Sequence, residues 1–190
     1  MELKGSKTEK NLLAAFAGEC QARTRYNFFA SVARKEGYEQ IAALFDETAD
    51  NEKEHAKLFF KQLRGGTAKI TAEYPAGVIA GTAENLEEAA KGEKLEWGEL
   101  YPEFAETAEK EGFADIAHIF RMVAKVEAYH EKRFLKLLAN VKSGRVFRKD
   151  QVIKWKCRNC GHVFDGSEAP EKCPVCSHPR SYFEVWCENY

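Results

Sequence analysis

Two stretches of this sequence set an imidazole three residues after a carboxylate: Glu52-Lys53-Glu54-His55 and Glu127-Ala128-Tyr129-His130. On a helix, positions i and i+3 share a face one turn apart, so each pair can offer an oxygen and a nitrogen to one metal ion, or bridge two. Further acids stand at Glu19 and in Glu93-x-x-Glu96. Nearer the end, Cys157-x2-Cys160-x12-Cys173-x2-Cys176 has the spacing of two thiolate knuckles closing on a tetrahedral ion. Carboxylates with one or two imidazoles suit iron or manganese, whereas four thiolates suit zinc or a single iron.

The helices that must carry the first set are visible as an internal repeat. Residues 26–63 laid over 101–138 give 17 identities in 38 positions, among them Tyr26/Tyr101, Phe45/Phe120, Glu52/Glu127, His55/His130 and Phe59/Phe134. The unit is an αα-hairpin turned at Gly37-Tyr38 and again at Gly112-Phe113, and its doubling makes four helices. The spacing predicts helices over about Thr8–Lys35, Glu39–Leu63, Thr82–Glu111 with a bend around Tyr101-Pro102, and Ala114–Val141, the middle pair joined by a crossover at 66–82. A Glu from each of two helices plus Glu-x-x-His from each of two more describes the two-metal site of a ferritin-like bundle.

On the first helix, Leu12, Leu13, Phe16, Glu19, Arg23, Tyr26 and Ala30 are expected near one face. Metal is the simplest explanation for a buried set comprising Glu19, Glu52, His55, Glu93, Glu96, Glu127 and His130, because acids buried without a cation cost many kcal/mol. Four carboxylates balance two divalent ions, and the fifth offsets charge added on oxidation. His55 is thus expected to favour the ferrous ion and Glu96 the ferric one, exchanging as the site cycles. Tyr26 and Tyr101, at matched positions, could orient a carboxylate or a bound substrate oxygen.

A formal charge of −1 over 190 residues argues against a general nucleic-acid binder, and 44% hydrophobic with 31% charged residues is ordinary for a helix-rich chain. With no apolar run near the ~18–20 residues that span a bilayer and no secretory signal at the start, a cytoplasmic protein is expected, with cysteines reduced. The chain therefore reads as mainly α: a bundle over 1–141, a basic linker over 142–153, and a small rubredoxin-like metal-binding module of strands and loops over 154–190. Seven basic residues stand against Asp150 from Lys142 to Arg158, either a solvated connector or a collar for an acidic partner. Trp155, Phe164, Tyr182, Phe183 and Trp186 are its expected core, with the metal needed for folding. Zinc ribbons share the cysteine spacing, but beside a redox-active two-metal bundle iron is the better reading; recombinant material could carry zinc. Cys20 is expected as a small buried hydrophobe; Cys187, His118, His162 and His178 have no ligand spacing.

Ala17-Gly18-Glu19, Gln21-Ala22-Arg23, both Glu-x-x-His sets, Glu93-x-x-Glu96 and the four-cysteine module together resemble the rubrerythrin family over essentially the whole chain. The resemblance implies a non-haem di-iron centre that reduces hydrogen peroxide to water, fed through a rubredoxin-like iron and protecting against oxidative stress. It places one iron on Glu19 with Glu96 or His55, the other on Glu93 and His130, and makes Glu52 and Glu127 bridges. It also implies a homodimer, with an NAD(P)H-dependent reductase or a rubredoxin as donor. Cys20 and Ser177 depart from the family pattern. The alternatives are ferritin-like iron oxidation and storage, which needs no reducing module, and a zinc-ribbon interaction protein, which needs no seventh ligand.

Overall fold

The computed structural model describes residues 2–189. Helices α1 (Lys7–Lys35), α2 (Glu39–Phe60), α3 (Thr82–Leu95), α4 (Tyr101–Lys110) and α5 (Ala114–Lys142) form the bundle, with a π-helical turn at Glu96–Leu100 joining α3 to α4 into one long rod. None of the helices is long and apolar enough to cross a membrane. Ser6 caps α1 by accepting from the Glu9 N–H at 3.0 Å. The helix ends at Gly37, whose φ of 82° lets Tyr38 N–H reach back to the Ala33 carbonyl; Gly112, at φ 84°, repeats this with Phe113 and Ala108. Both hairpin turns thus use a left-handed backbone that glycine adopts without a steric penalty.

The repeat is also the packing plan. One aromatic cluster joins Tyr26, Phe29 and Phe45 of the first half to Phe134 of the second; the other joins Tyr101, Phe104 and Phe120 to Phe59. Each is the other's image under the two-fold relation of the halves, and the polar side chains lie between them.

Several expectations are corrected. On α1, Arg23 is exposed and Phe16 only half-buried, while Ala15, Gly18 and Ala22 are buried: small residues occupy the face that packs close. Cys20, expected inside, is exposed, since the position after Glu19 turns about 100° away from the core. Helix α2 stops at Phe60 rather than Leu63. The bend expected around Tyr101-Pro102 lies one turn earlier, and Pro102 sits in the first turn of α4, where it displaces no needed N–H.

The second unit is a three-stranded antiparallel sheet in the order β2-β1-β3, from β1 (Arg148–Cys157), β2 (Val163–Glu168) and β3 (Phe183–Val185). Strand β1 opens inside the stretch read as a linker, leaving only residues 143–147 between helix and strand. The basic collar is largely paired within the chain: Lys142 with Glu87, Arg145 with Asp150, Lys154 with Asp165, and Lys156 and Arg158 with Glu184. That leaves little free charge for an acidic partner. Trp155 and Phe183 are fully buried with Cys157 and Cys173, and Phe164 and Tyr182 pack on them. Trp186 lies outside this cluster, half-exposed, with Lys154 Nζ 6.0 Å from its ring. The ring of Tyr38 stacks on Phe147 at 6.1 Å, tying the hairpin turn to the connector.

Candidate metal centre

Four helices deliver one buried acid each to the same level of the bundle: Glu19 from α1, Glu52 from α2, Glu93 from α3 and Glu127 from α5. With His55 and His130 they form two overlapping quartets, Glu19-Glu52-His55-Glu127 and Glu52-Glu93-Glu127-His130, the ligand atoms of each lying within 4.8 Å of one another. Glu52 and Glu127 belong to both. His55 Nδ1 lies 2.8 Å from Glu127 and 2.9 Å from Glu52; His130 Nδ1 lies 2.7 Å from Glu127 and 3.2 Å from Glu52. Tyr26 donates to Glu93 at 2.5 Å, and Tyr101 donates to Glu19, so each outer carboxylate is held by the tyrosine of the opposite half.

Electrostatics shows what this arrangement demands. Burial and the neighbouring acids Glu96, Glu127 and Glu52 push Glu19 well above the carboxylate range, and burial with Glu52 raises Glu93 to about 8. Burial alone would lower both histidines, but the carboxylates reverse it, raising His55 to about 9 and His130 to about 12. Glu127 is lowered because its bonds to both imidazoles outweigh burial. The cage is thus short of positive charge. Its geometry fits a pair of cations: Glu19 Oε2 and Glu93 Oε2 are buried without hydrogen-bond partners in the protein, and the oxygens of Glu52 and Glu127 meet only the two imidazoles. Four carboxylates and two imidazoles are donors of the type that hold iron or manganese.

Glu96 joins neither quartet. It lies partly buried on the π-helical turn, where desolvation of its carboxyl and the nearby Glu93 raise its pKa and Arg25 opposes the shift. It borders a cavity of about 300 Å³ whose walls include Arg25, Tyr26, Tyr101 and Phe104 together with Tyr74 of the crossover. Tyr74 donates to the Ala14 carbonyl at 3.2 Å and lies against Gly18.

The reason for Glu96 is a frame change. Upstream of the turn the repeat runs at an offset of 74, not 75: Thr8/Thr82, Asn11/Asn85, Leu12/Leu86, Ala15/Ala89, Gly18/Gly92 and Glu19/Glu93 match. One extra residue therefore lies between Glu93 and Tyr101, and the π-helical turn absorbs it, with Tyr101 N–H reaching the Glu96 carbonyl. Comparing both offsets would have located this turn from sequence. Arg25 and Asn51 had no such signal, because a single polar residue at a helix border looks like any other.

In the second unit, Cys157 and Cys176 Sγ are 3.7 Å apart and Cys160 and Cys173 Sγ 3.6 Å, within a four-sulfur group. A tetrahedron with ~2.3 Å metal–sulfur bonds requires sulfurs about 3.8 Å apart, so the cage fits one ion. The backbone N–H of His178 helps hold Cys176 down at about 5.

Residues 10–138 match the rubrerythrin family model, and residues 155–184 match that of the rubrerythrin rubredoxin-like domain. The chain belongs to the rubrerythrin family. It is 63% identical to rubrerythrin of Porphyromonas gingivalis, covering 99% of this chain and 94% of that one, and 55% identical to rubrerythrin of Nitratidesulfovibrio vulgaris, covering 99% and 98%. Among solved structures, all-ferrous nigerythrin is similar at 33% identity and a TM-score of 0.61, over 96% of this chain and 87% of that one. Bacterioferritin of Desulfovibrio desulfuricans shares the fold, at 19% identity and a TM-score of 0.60 over 73% of this chain and 82% of that one. This rubrerythrin-family chain therefore carries a carboxylate/histidine di-iron site in a ferritin-like bundle and a four-cysteine rubredoxin-like site.

Proposed function

We propose that the protein is a peroxidase that reduces hydrogen peroxide to water in the bundle, drawing electrons through the four-cysteine iron. The observation that carries this is the presence, in one chain, of two overlapping ligand quartets sharing Glu52 and Glu127 and of a thiolate cage suited to a one-electron carrier. Peroxide, two electrons and two protons give two waters; iron held in the two quartets would supply the two electrons, and iron held by the four cysteines would supply one-electron chemistry to restore them.

The chain's own residues do the rest. Glu52 and Glu127, common to both quartets, would serve both ions, Glu19 and His55 would hold one, and Glu93 and His130 would hold the other. Glu96 is the spare carboxylate that alternates with His55. Tyr26 and Tyr101 fix the outer carboxylates through their hydroxyl protons and stand at the cavity wall. Arg25, beside Glu96, steadies the negative charge there. Burial of the cage beneath the two aromatic clusters excludes bulk water, and the cavity beside Tyr74 is the route by which a small substrate approaches. The protein works as a homodimer in the cytoplasm, protecting against oxidative stress, with an NAD(P)H-dependent reductase or a rubredoxin as donor.

The test is anaerobic rapid mixing of the fully reduced protein with hydrogen peroxide or with O2. Faster oxidation by peroxide supports the reading; preference for O2 with growth of a ferric core contradicts it and favours iron storage.

A further inference from the structure

The repeat relates the two Glu-x-x-His pairs, yet their imidazoles are held differently. His130 turns Nδ1 into the cage, and its other nitrogen, Nε2, lies 3.2 Å from Oδ1 of Asn51 on the facing helix α2. A ring engaged at both nitrogens has its orientation set: Nε2 donates its proton to the amide oxygen, so Nδ1 is the nitrogen turned to the cage and to any cation held there. His55 presents Nδ1 to Glu127 and Glu52 in the same way. Among the described residues no side chain hydrogen-bonds its Nε2. The repeat supplies the reason. The residue 75 positions after Asn51 is Val126, which has no acceptor and is 37% exposed.

A second asymmetry accompanies the first. Glu96 sits on the extra residue's turn in the second half, and at the offset of 74 its counterpart is Ala22. Among the described residues, a spare carboxylate thus exists at one place around the cage, and an unanchored imidazole at one place.

We infer that Asn51 is a positioning residue that makes His130 a permanent ligand, and that the lack of a counterpart opposite His55 leaves His55 the one imidazole free to turn away, with Glu96 to replace it. The inference rests on the proposed ligand roles but concerns which ring is anchored. No group beyond these side chains is needed: rotation about the His55 side-chain bonds breaks no hydrogen bond at Nε2, whereas the same rotation of His130 breaks the bond to Asn51.

Two variants on the outer faces of α2 and α5 test it, Asn51→Leu and Val126→Asn. In zinc-loaded protein, which is diamagnetic, the imidazole N–H signals can be followed by 15N-histidine NMR. Wild-type protein should show one solvent-protected cage imidazole N–H, from His130. Asn51→Leu should abolish its protection, and Val126→Asn should add a second, from His55. Equal protection of both rings in the wild type, or an unchanged His130 signal in Asn51→Leu, overturns the anchoring whatever the reaction proves to be. In iron-loaded protein, Val126→Asn should slow turnover with peroxide about tenfold, the lower end of the usual effect of partners behind metal ligands. A second protected N–H with turnover unchanged overturns the link to ligand exchange while leaving the anchoring of His130 in place.

Discussion

The first half of the bundle, α1 with α2, and the second, α3 through α5, are two copies of one plan. Each supplies an outer Glu, a Glu-x-x-His pair and a tyrosine that holds the outer Glu of the other half. Two of their differences fall beside the cage: an extra residue that puts Glu96 on a π-helical turn, and Val126 in place of Asn51. The shared part builds a symmetric cage, which suffices to bind two like ions. The unshared part makes the two positions unequal, which a centre must be if only one of its ions changes ligands. Symmetry here serves binding, and its breaking serves reactivity.

The comparison breaks most visibly if the shared carboxylates are not shared. Glu127→Ala should lose metal from both bundle positions, whereas Glu19→Ala should lose it from one; metal counting by mass spectrometry distinguishes them. Equal losses would mean that the quartets do not overlap as described.

Removing the metal sharpens the comparison through pH. His55 and His130 have folded pKa values of about 9 and 12, above the ordinary 6.5, so their stabilising contribution is complete below about pH 6.5. It is lost as pH rises through the folded values, first at His55. Glu93, raised to about 8, acts in the same direction: between its ordinary range and 8 the folded state holds the extra proton, so stability falls as pH rises. The thermal midpoint of metal-free protein should therefore drop between pH 7 and 9. Reloaded protein should show a flatter profile, because the cations replace the protons. A metal-free midpoint that rises over this window would contradict the assignment.

A smaller effect tests the equivalence of the tyrosines. Tyr26→Phe and Tyr101→Phe each remove a buried hydroxyl from a carboxylate and should each cost about 1–3 kcal/mol in chemical denaturation of the loaded protein. A large difference between them would show that the outer carboxylates are not held alike.

The smallest effect concerns another imperfect duplication, the two cysteine knuckles. Gly161 and Ser177 follow the second cysteine of each, at φ 79° and 60°, and serine pays for the left-handed backbone where glycine does not. Ser177→Gly should stabilise the small module by about 1 kcal/mol, read from its own unfolding transition.

Much of this was legible in the sequence because it rests on spacing. Helical periodicity, the glycine turns, the Glu-x-x-His pairs and the thiolate knuckles each follow from local geometry, and Glu19, Glu52, His55, Glu93, Glu127 and His130 converge as the repeat implied. What escaped depends on close packing or on a change of frame. Arg23 and Cys20 looked core-facing or core-adjacent, but the inner face of α1 is narrow and lined by Ala15, Gly18 and Ala22, so both fall outside it. The π-helical turn was hidden because a single offset of 75 stops matching above Tyr101. Strand β1 was hidden in a basic stretch because its charges are paired across the sheet and within the connector rather than free.

The central claim is that two ions share Glu52 and Glu127 while only the His130 side is anchored. Iron-edge anomalous diffraction from iron-loaded crystals, collected reduced and oxidised, tests it most directly. The account predicts two iron peaks in the bundle, both bonded to Glu52 and Glu127, with His130 bound in each state and His55 giving way to Glu96 on oxidation. A single bundle peak, or a His130 that moves while His55 stays, would contradict it.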